Sequence, residues 1–155
     1  MSGVASPTPQ EIADLAADIM WANDRASRNL GIEREAVGPG SAVLAMTIGA
    51  DMTNGHDTAH GGFIFALADS TFAFACNSYG NVTVAAHCSI TYVRPAKCGD
   101  RLVATAREIS RSGRSGIYDV CVTHDGVTIA EFRGHSRTIG GYFIETAAEA
   151  KNKEP

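Results

Sequence analysis

The stretch NGHDTAHGGFIFALADSTFAFACNSYG, Asn54 to Gly80, decides how the rest of the chain reads. From Phe63 to Cys76 nearly every residue is apolar or small, yet one carboxylate, Asp69, stands in the middle. From Gly61 to Tyr79 there is no proline and no period of two, and the run is too long for an ordinary strand. It predicts a helix about five turns long. A helix apolar almost all round must be buried. Asp69 is then an acid held near Leu67, Phe72 and Phe74, with no cation within one helical turn in sequence. Such a carboxylate is costly unless hydrogen-bonded or paired. Two readings are open: Ser70 and Thr71 satisfy it locally, or it is kept for chemistry.

Just upstream, Gly61-Gly62 opens this helix. A glycine pair there lets another group approach the backbone and points unpaired N–H groups at it, which suits an oxyanion. The plainer reading is a tight turn where helix meets sheet. Gly61 and Asp69 are eight residues apart, about 12 Å along the helix and about 80° around it. One chain therefore cannot bring both to the same carbonyl. Two antiparallel copies of the helix in a two-fold dimer would bring the start of one to the middle of the other, so the expected sites are shared between subunits.

The remaining segments place a sheet around this helix. SPTPQEIADLAADIMWANDRASRNLG, Ser6 to Gly31, opens with a cap signal, carries Ile12, Leu15 and Ile19 at helical spacing, and predicts an amphipathic helix over 8–29. SAVLAMTI, Ser41 to Ile48, alternates Ala42, Leu44, Met46 and Ile48 against Ser41, Val43, Ala45 and Thr47, as a strand covered on at least one face does. After the central helix come NVTVAAHCSITYVRP, DRLVATAREISR, GIYDVCVTHD and GVTIAEFRGHSRTI, four alternating segments separated by turn residues. Asp125-Gly126 is a strong two-residue hairpin signal. One strand, a buried helix and four antiparallel strands make an α+β domain with its sheet wrapped round a central helix. The chain reads as one domain over 1–155, with its core over 40–141 and a polar, frayed tail at ETAAEAKNKEP.

Composition bounds the partners. No apolar run approaches the roughly 20 residues of a membrane span, and the N-terminus lacks a basic region followed by an apolar core. The expectation is a cytoplasmic protein with no membrane partner. A net charge of −4 argues against nucleic acid. Cys76, Cys88, Cys98 and Cys121 are spaced too widely for a zinc or redox motif and read as reduced, mostly buried thiols. His56 and His60 have metal-pair spacing only on a helix, whereas Gly55 and Gly61 make that segment a loop, so no metal site is expected. Between Arg94 and Arg137 eight basic residues (Arg94, Lys97, Arg101, Arg107, Arg111, Arg114, Arg133 and Arg137) face five acidic ones. A locally positive surface on an acidic protein suits a small anionic ligand; for any one of these residues the alternative is a solvated charge.

Asn54, five residues, His60-Gly61-Gly62, six residues, Asp69 resembles the signature of the hotdog-fold acyl-coenzyme A thioesterases. The likeness is specifically to their phenylacetate-degradation branch and runs over 40–141. It includes ADSTFAFACNSYG, YVRPAKCGD and FRGHSRTIGG. The resemblance implies hydrolysis of aromatic or medium-chain acyl-coenzyme A esters, with no cofactor beyond the coenzyme A of the substrate. It implies that Gly61 donates its N–H to the thioester carbonyl and that Asp69 of a partner chain is nucleophile or general base. Asn54 and His60 match positions that orient the carbonyl, the carboxylate or the water, although His60 also reads as a helix cap. By position, Tyr92, Arg94, Pro95, Lys97, Arg111, Arg114, Ser115, Gly116 and Arg137 match segments lining the coenzyme A path. Phe63, Phe72, Phe74 and Tyr79 are candidates for the acyl pocket, with plain core the alternative reading for most of them. The assembly implied is a homodimer, further paired to a tetramer. The rivals are a hotdog hydratase or dehydratase and a non-catalytic acyl-coenzyme A sensor.

Overall fold

The computed structural model describes residues 6–143; the polar tail expected at Glu145–Pro155 lies outside them. The first helix, α1 (Pro9–Asn23), starts on a capping box: Glu11 N–H donates to Thr8 Oγ1 at 3.2 Å and Thr8 N–H to Glu11 Oε2 at 2.7 Å. It stops sooner than the sequence predicts. Asp24 leaves the helical region at φ −83°, ψ 85°, and its carboxylate caps a second short helix, α2 (Arg25–Asn29), through Ser27 N–H at 2.9 Å. The helix expected over 8–29 is thus two helices sharing one cap residue. Its buried face is also not the one expected: Ala13, Ala16 and Ala17 are covered, while Leu15 is 40% exposed. Small alanines let α1 approach its neighbour closely, which large apolar residues at those positions would prevent.

Six antiparallel strands form one sheet. They are β1 (Glu33–Gly38), β2 (Ser41–Thr47), β3 (Asn81–Tyr92), β4 (Arg101–Ser112), β5 (Ser115–His124) and β6 (Val127–Tyr142), in the order β1-β2-β4-β5-β6-β3. β1 is a strand that periodicity does not reveal, because EREAVG is an edge strand whose charged residues meet solvent. The remaining strands fall where alternation places them. Ala42, Leu44, Met46 and Ile48 are all within 1% of full burial. At the β5–β6 hairpin Asp125 and Gly126 both have positive φ, 47° and 76°, as a type I′ turn requires.

The sheet curls round α3 (Gly61–Cys76), the helix predicted from Gly61 onward. It ends three residues early because Asn77 caps it, donating Nδ2 to Ala73 O at 2.9 Å and to Thr83 O at 2.9 Å. Ile64, Leu67, Ala68, Thr71, Phe72, Phe74 and Ala75 fill the core with the inner faces of the strands. Phe65, Ala66, Asp69 and Ala73 are only partly covered, so one stripe of α3 stays open. This is the hotdog arrangement, α+β. Among the described residues no helix is long and apolar enough to cross a membrane. The four cysteines are free thiols, but only Cys76 is buried and Cys98 is exposed, so the expectation of mostly buried thiols fails.

Candidate active site

The loop before α3 is tied down residue by residue. Asn54 Oδ1 accepts from His56 N–H at 2.9 Å and Thr58 N–H at 3.3 Å, while Nδ2 donates to Thr58 Oγ1 at 3.0 Å. Asn54 is therefore the organiser of its own turn, and its side chain is committed there. His60 N–H donates to Met52 O at 2.8 Å, and Ala59 N–H to Ala96 O at 2.8 Å. His60 then caps the helix from an extended conformation, its Nδ1 accepting from Gly62 N–H at 3.0 Å. That bond makes Nδ1 the acceptor and leaves the ring proton on Nε2. The capping reading of His60 holds in the structure.

With Gly62 N–H taken by His60 and Phe63 N–H bonded to His60 O at 3.0 Å, the Gly61 N–H is left over. Among the described residues no group accepts it. It opens beside a cleft of about 440 Å³ that Gly61, Ile64, Tyr92, Arg94 and Pro95 help to line. Tyr92 stands over the first turn, its hydroxyl donating to Gly61 O at 2.8 Å. A Cβ on Gly61 would lie 2.8 Å from Tyr92 Cζ, so any side chain here has to displace the exposed Tyr92 ring. Arg94 Nη1 donates to Thr128 O at 3.0 Å, and Lys97 N–H to Asp100 Oδ2 at 2.8 Å, which closes the following turn.

Asp69 lies two turns further along α3, on the partly open stripe. Loss of solvent raises its pKa above the ordinary carboxylate value, opposed by a hydrogen bond from the Cys88 thiol, Sγ to Oδ1 3.8 Å. The local satisfaction offered by Ser70 and Thr71 does not occur. Ser70 Oγ pairs with Ser27 Oγ at 2.9 Å, and Thr71 Oγ1 donates to Leu67 O at 2.7 Å. In the sequence Cys88 reads only as a reduced thiol; the packing of β3 against α3 shows that it meets the acid.

The other residues matched to the coenzyme A path gather at the opposite end of α3. Arg111 lies 3.7 Å over the Tyr79 ring, with its Nε 3.4 Å from Glu108 Oε2. That same oxygen accepts from Tyr79 and Tyr118 hydroxyls at 2.9 Å each. Arg114 Nε donates to Thr138 O at 2.9 Å, and Ser115 pairs across the ladder with Arg137. Gly116 is required by contact, since a Cβ there would stand 2.7 Å from Ser136 Oγ. Two hollows meet at Ser115. One, of about 160 Å³, includes Arg111 and Arg114; the other, of about 450 Å³, includes Gly116 and Arg137. α3 is sixteen residues long, so about 24 Å separates this cluster from Gly61 in one chain.

Some expectations are corrected. Phe72 and Phe74 are 1% exposed and belong to the core, while Tyr79 serves the Arg111–Glu108 cluster and lines the hollow that holds Arg111 and Arg114. Phe63 is partly covered and packs edge-on to His60. Of the eight basic residues in the positive segment, Arg101 pairs with Glu33 and Glu35, and Arg133 with Asp119 at 2.6 Å and 2.8 Å. Arg107 also lies 3.9 Å from Asp119. Those three are surface ion pairs rather than a free anion-binding face.

Known proteins resemble this chain in sequence and in fold. The thioesterase superfamily profile matches residues 56–131. The chain is 44% identical over 126 residues to the acyl-coenzyme A thioesterase PaaI of Escherichia coli K12, covering 81% of this chain and 90% of that protein. It is 33% identical over 106 residues to human acyl-coenzyme A thioesterase 13, covering 66% of this chain and 75% of that one. The solved structure of E. coli PaaI, from the phenylacetic acid degradation operon, superposes with a TM-score of 0.85 at 41% identity, covering 87% of this chain and 99% of that one. With one relative 44% identical over 81% of this chain and the same fold in that relative's solved structure, the chain belongs to the thioesterase superfamily.

Proposed function

We propose that the protein hydrolyses acyl-coenzyme A thioesters of small aromatic, aryl-acetyl type, at sites built from two chains. The observation that carries this reading is the pair formed by the unclaimed Gly61 N–H and the half-buried Asp69 carboxylate on α3, too far apart to act within one chain. Water attacks the thioester carbonyl with Asp69 taking its proton, or the carboxylate attacks first and water then cleaves the acyl-enzyme anhydride. Either route yields free acid and coenzyme A thiol from ester and water, so neither needs a metal or redox cofactor. The developing oxyanion is held by Gly61 N–H and the positive end of α3.

The edge strand β3 supports the two-chain site. Asn81 to Tyr92 contains no Asp, Glu, Lys or Arg, and Val84 is 42% exposed. Edge strands that stay unpaired are usually blunted by charge, as β1 is here. β3 is the edge suited to pairing with its copy. Antiparallel pairing about its middle would set Tyr92 of one chain beside Asn81 of the other. Tyr92 borders the Gly61 cleft, and Asn81 helps to line the hollow that holds Arg111 and Arg114. The two clusters 24 Å apart within a chain would thus meet across the dimer, offering the coenzyme A nucleotide a basic rim near the thioester site. The aryl-acetyl preference rests on the likeness to PaaI of the phenylacetic acid degradation operon.

Incubation with a panel of aryl and alkyl acyl-coenzyme A esters, following free thiol, tests the reading. Thiol release fastest with aryl-acetyl esters is expected. Fastest release with medium-chain alkyl esters would overturn the acyl assignment. Consumption of an enoyl ester without thiol would indicate a hydratase, and binding without turnover a sensor.

A further inference from the structure

We propose that Cys88 is a positioning residue for Asp69, its thiol donating to Oδ1 at 3.8 Å so that Oδ2 is left for water or the acyl carbon. The inference rests on the catalytic assignment of Asp69 above and adds a residue that the assignment does not use. Cys88 is the one side chain among the described residues that hydrogen-bonds this carboxylate, because Ser70 and Thr71 are engaged elsewhere.

Register explains how the thiol reaches the acid. Cys88 on β3 pairs with Gly134 on β6, and a Cβ on Gly134 would lie 2.7 Å from the Phe72 ring. The bare glycine lets Phe72 sink against β6. Phe72 follows Asp69 by three residues on the same side of the helix, so the turn carrying Asp69 is held close to β3 at the level of Cys88. The titratable groups that feel the Asp69 charge are Cys88 on β3 and Cys76 on α3 itself. Burial and that charge push the Cys88 thiol up to about 11. At neutral pH it is therefore an S–H donor and not a thiolate that would repel the acid.

A thiol that favours the ionised carboxylate holds the Asp69 pKa below what desolvation alone would give. Removing it should raise that pKa further. In Cys88→Ala the acid limb of kcat/KM against pH is expected to move upward by roughly half a unit to one unit, and kcat is expected to fall about 3- to 10-fold with little change in KM. Ile90→Ala, which removes packing from the same strand without removing a donor, should leave the limb in place. In an Asp69→Asn background, adding Cys88→Ala should produce no further loss of kcat. Should Cys88→Ala fail to fold, Cys88→Val removes the donor from a strand-favouring side chain and gives the same reading. An unmoved acid limb and unchanged kcat in a folded, active donor-less variant would overturn the proposal. Wild-type activity in Asp69→Asn alone would instead overturn the catalytic assignment, so the two failures are distinct.

Discussion

The phenol of Tyr92 donates to the carbonyl of Gly61 at 2.8 Å, and its ring occupies the space a Cβ on Gly61 would need. The residue matched to the coenzyme A path thus also holds the helix turn that offers the free N–H. Tyr92→Phe keeps the ring and removes the donor. We expect kcat to fall about 5-fold, the equivalent of one ordinary hydrogen bond of about 1 kcal/mol, with stability changed by less than about 1 kcal/mol. Steady-state kinetics beside urea unfolding would check this. An unaltered kcat would mean the turn is held without the phenol.

Asp69→Asn keeps the shape of the side chain and removes the base or nucleophile. Turnover should fall about 10²- to 10⁴-fold, while acyl-coenzyme A binding, measured by calorimetry, stays near wild type. The raised pKa of Asp69 also has a stability consequence. Its folded value lies above the unfolded one, so the folded state binds more protons between the two and stability falls as pH rises through that window. Above the window the cost is fully present. The Asn variant lacks it and should therefore melt at a higher temperature than wild type at pH 7, with the difference vanishing below about pH 3.9. A lower melting temperature at pH 7 would show that the carboxylate stabilises the fold.

Gly134→Ala tests the contact that draws α3 toward β6. Its Cβ would stand 2.7 Å from a Phe72 ring that is 1% exposed and packed against Tyr118 and Phe132. Overpacking of this kind costs about 1–3 kcal/mol, seen as a lower urea midpoint with an unchanged slope. A midpoint within error of wild type would show that Phe72 can re-pack.

Arg111 and Arg114 sit at the rim of the distal hollow, the first held by Tyr79 and Glu108. Replacing both by Ala should raise KM for acyl-coenzyme A about 10-fold or more, with kcat reduced less than 2-fold, because phosphate contacts at a rim bind ground and transition states alike. Tyr79→Leu, which removes the platform under Arg111, should raise KM in the same direction by a smaller factor. An unchanged KM in the double variant would place the nucleotide elsewhere.

Much of this was legible in the residues themselves. The central helix, the strands β2 to β6, the Asp125-Gly126 turn and the placing of Gly61 and Asp69 on one helix follow from periodicity, turn chemistry and spacing. What was not legible has physical causes. β1 has no alternation because it is a charged edge, and the break at Asp24 hides in a continuous helical pattern because one Asp serves as the stop of one helix and the cap of the next. The partners of polar groups depend on register. Nothing in the sequence says that Ser70 turns to Ser27, that Cys88 meets Asp69, or that Tyr79 lies beneath Arg111. Aromatic content likewise could not separate core from pocket, since Phe72 and Phe74 look alike either way.

The central claim is that each site takes Gly61 from one chain and Asp69 from another. Subunit mixing tests it most directly. Gly61→Pro removes the N–H at a position where proline is tolerated, the first residue of α3, preceded by His60 in the extended conformation proline favours (φ −63°, ψ 129°). The half-exposed Tyr92 ring must swing aside for it. With both folds verified by circular dichroism, Asp69→Asn and Gly61→Pro homodimers should each be inactive. Unfolding and refolding them together in equal amounts makes half of the dimers mixed, each with one intact site of two, so activity should return to about a quarter of wild type. A refolded mixture in which mass spectrometry shows mixed dimers, but which stays as inactive as its components, would contradict the shared site.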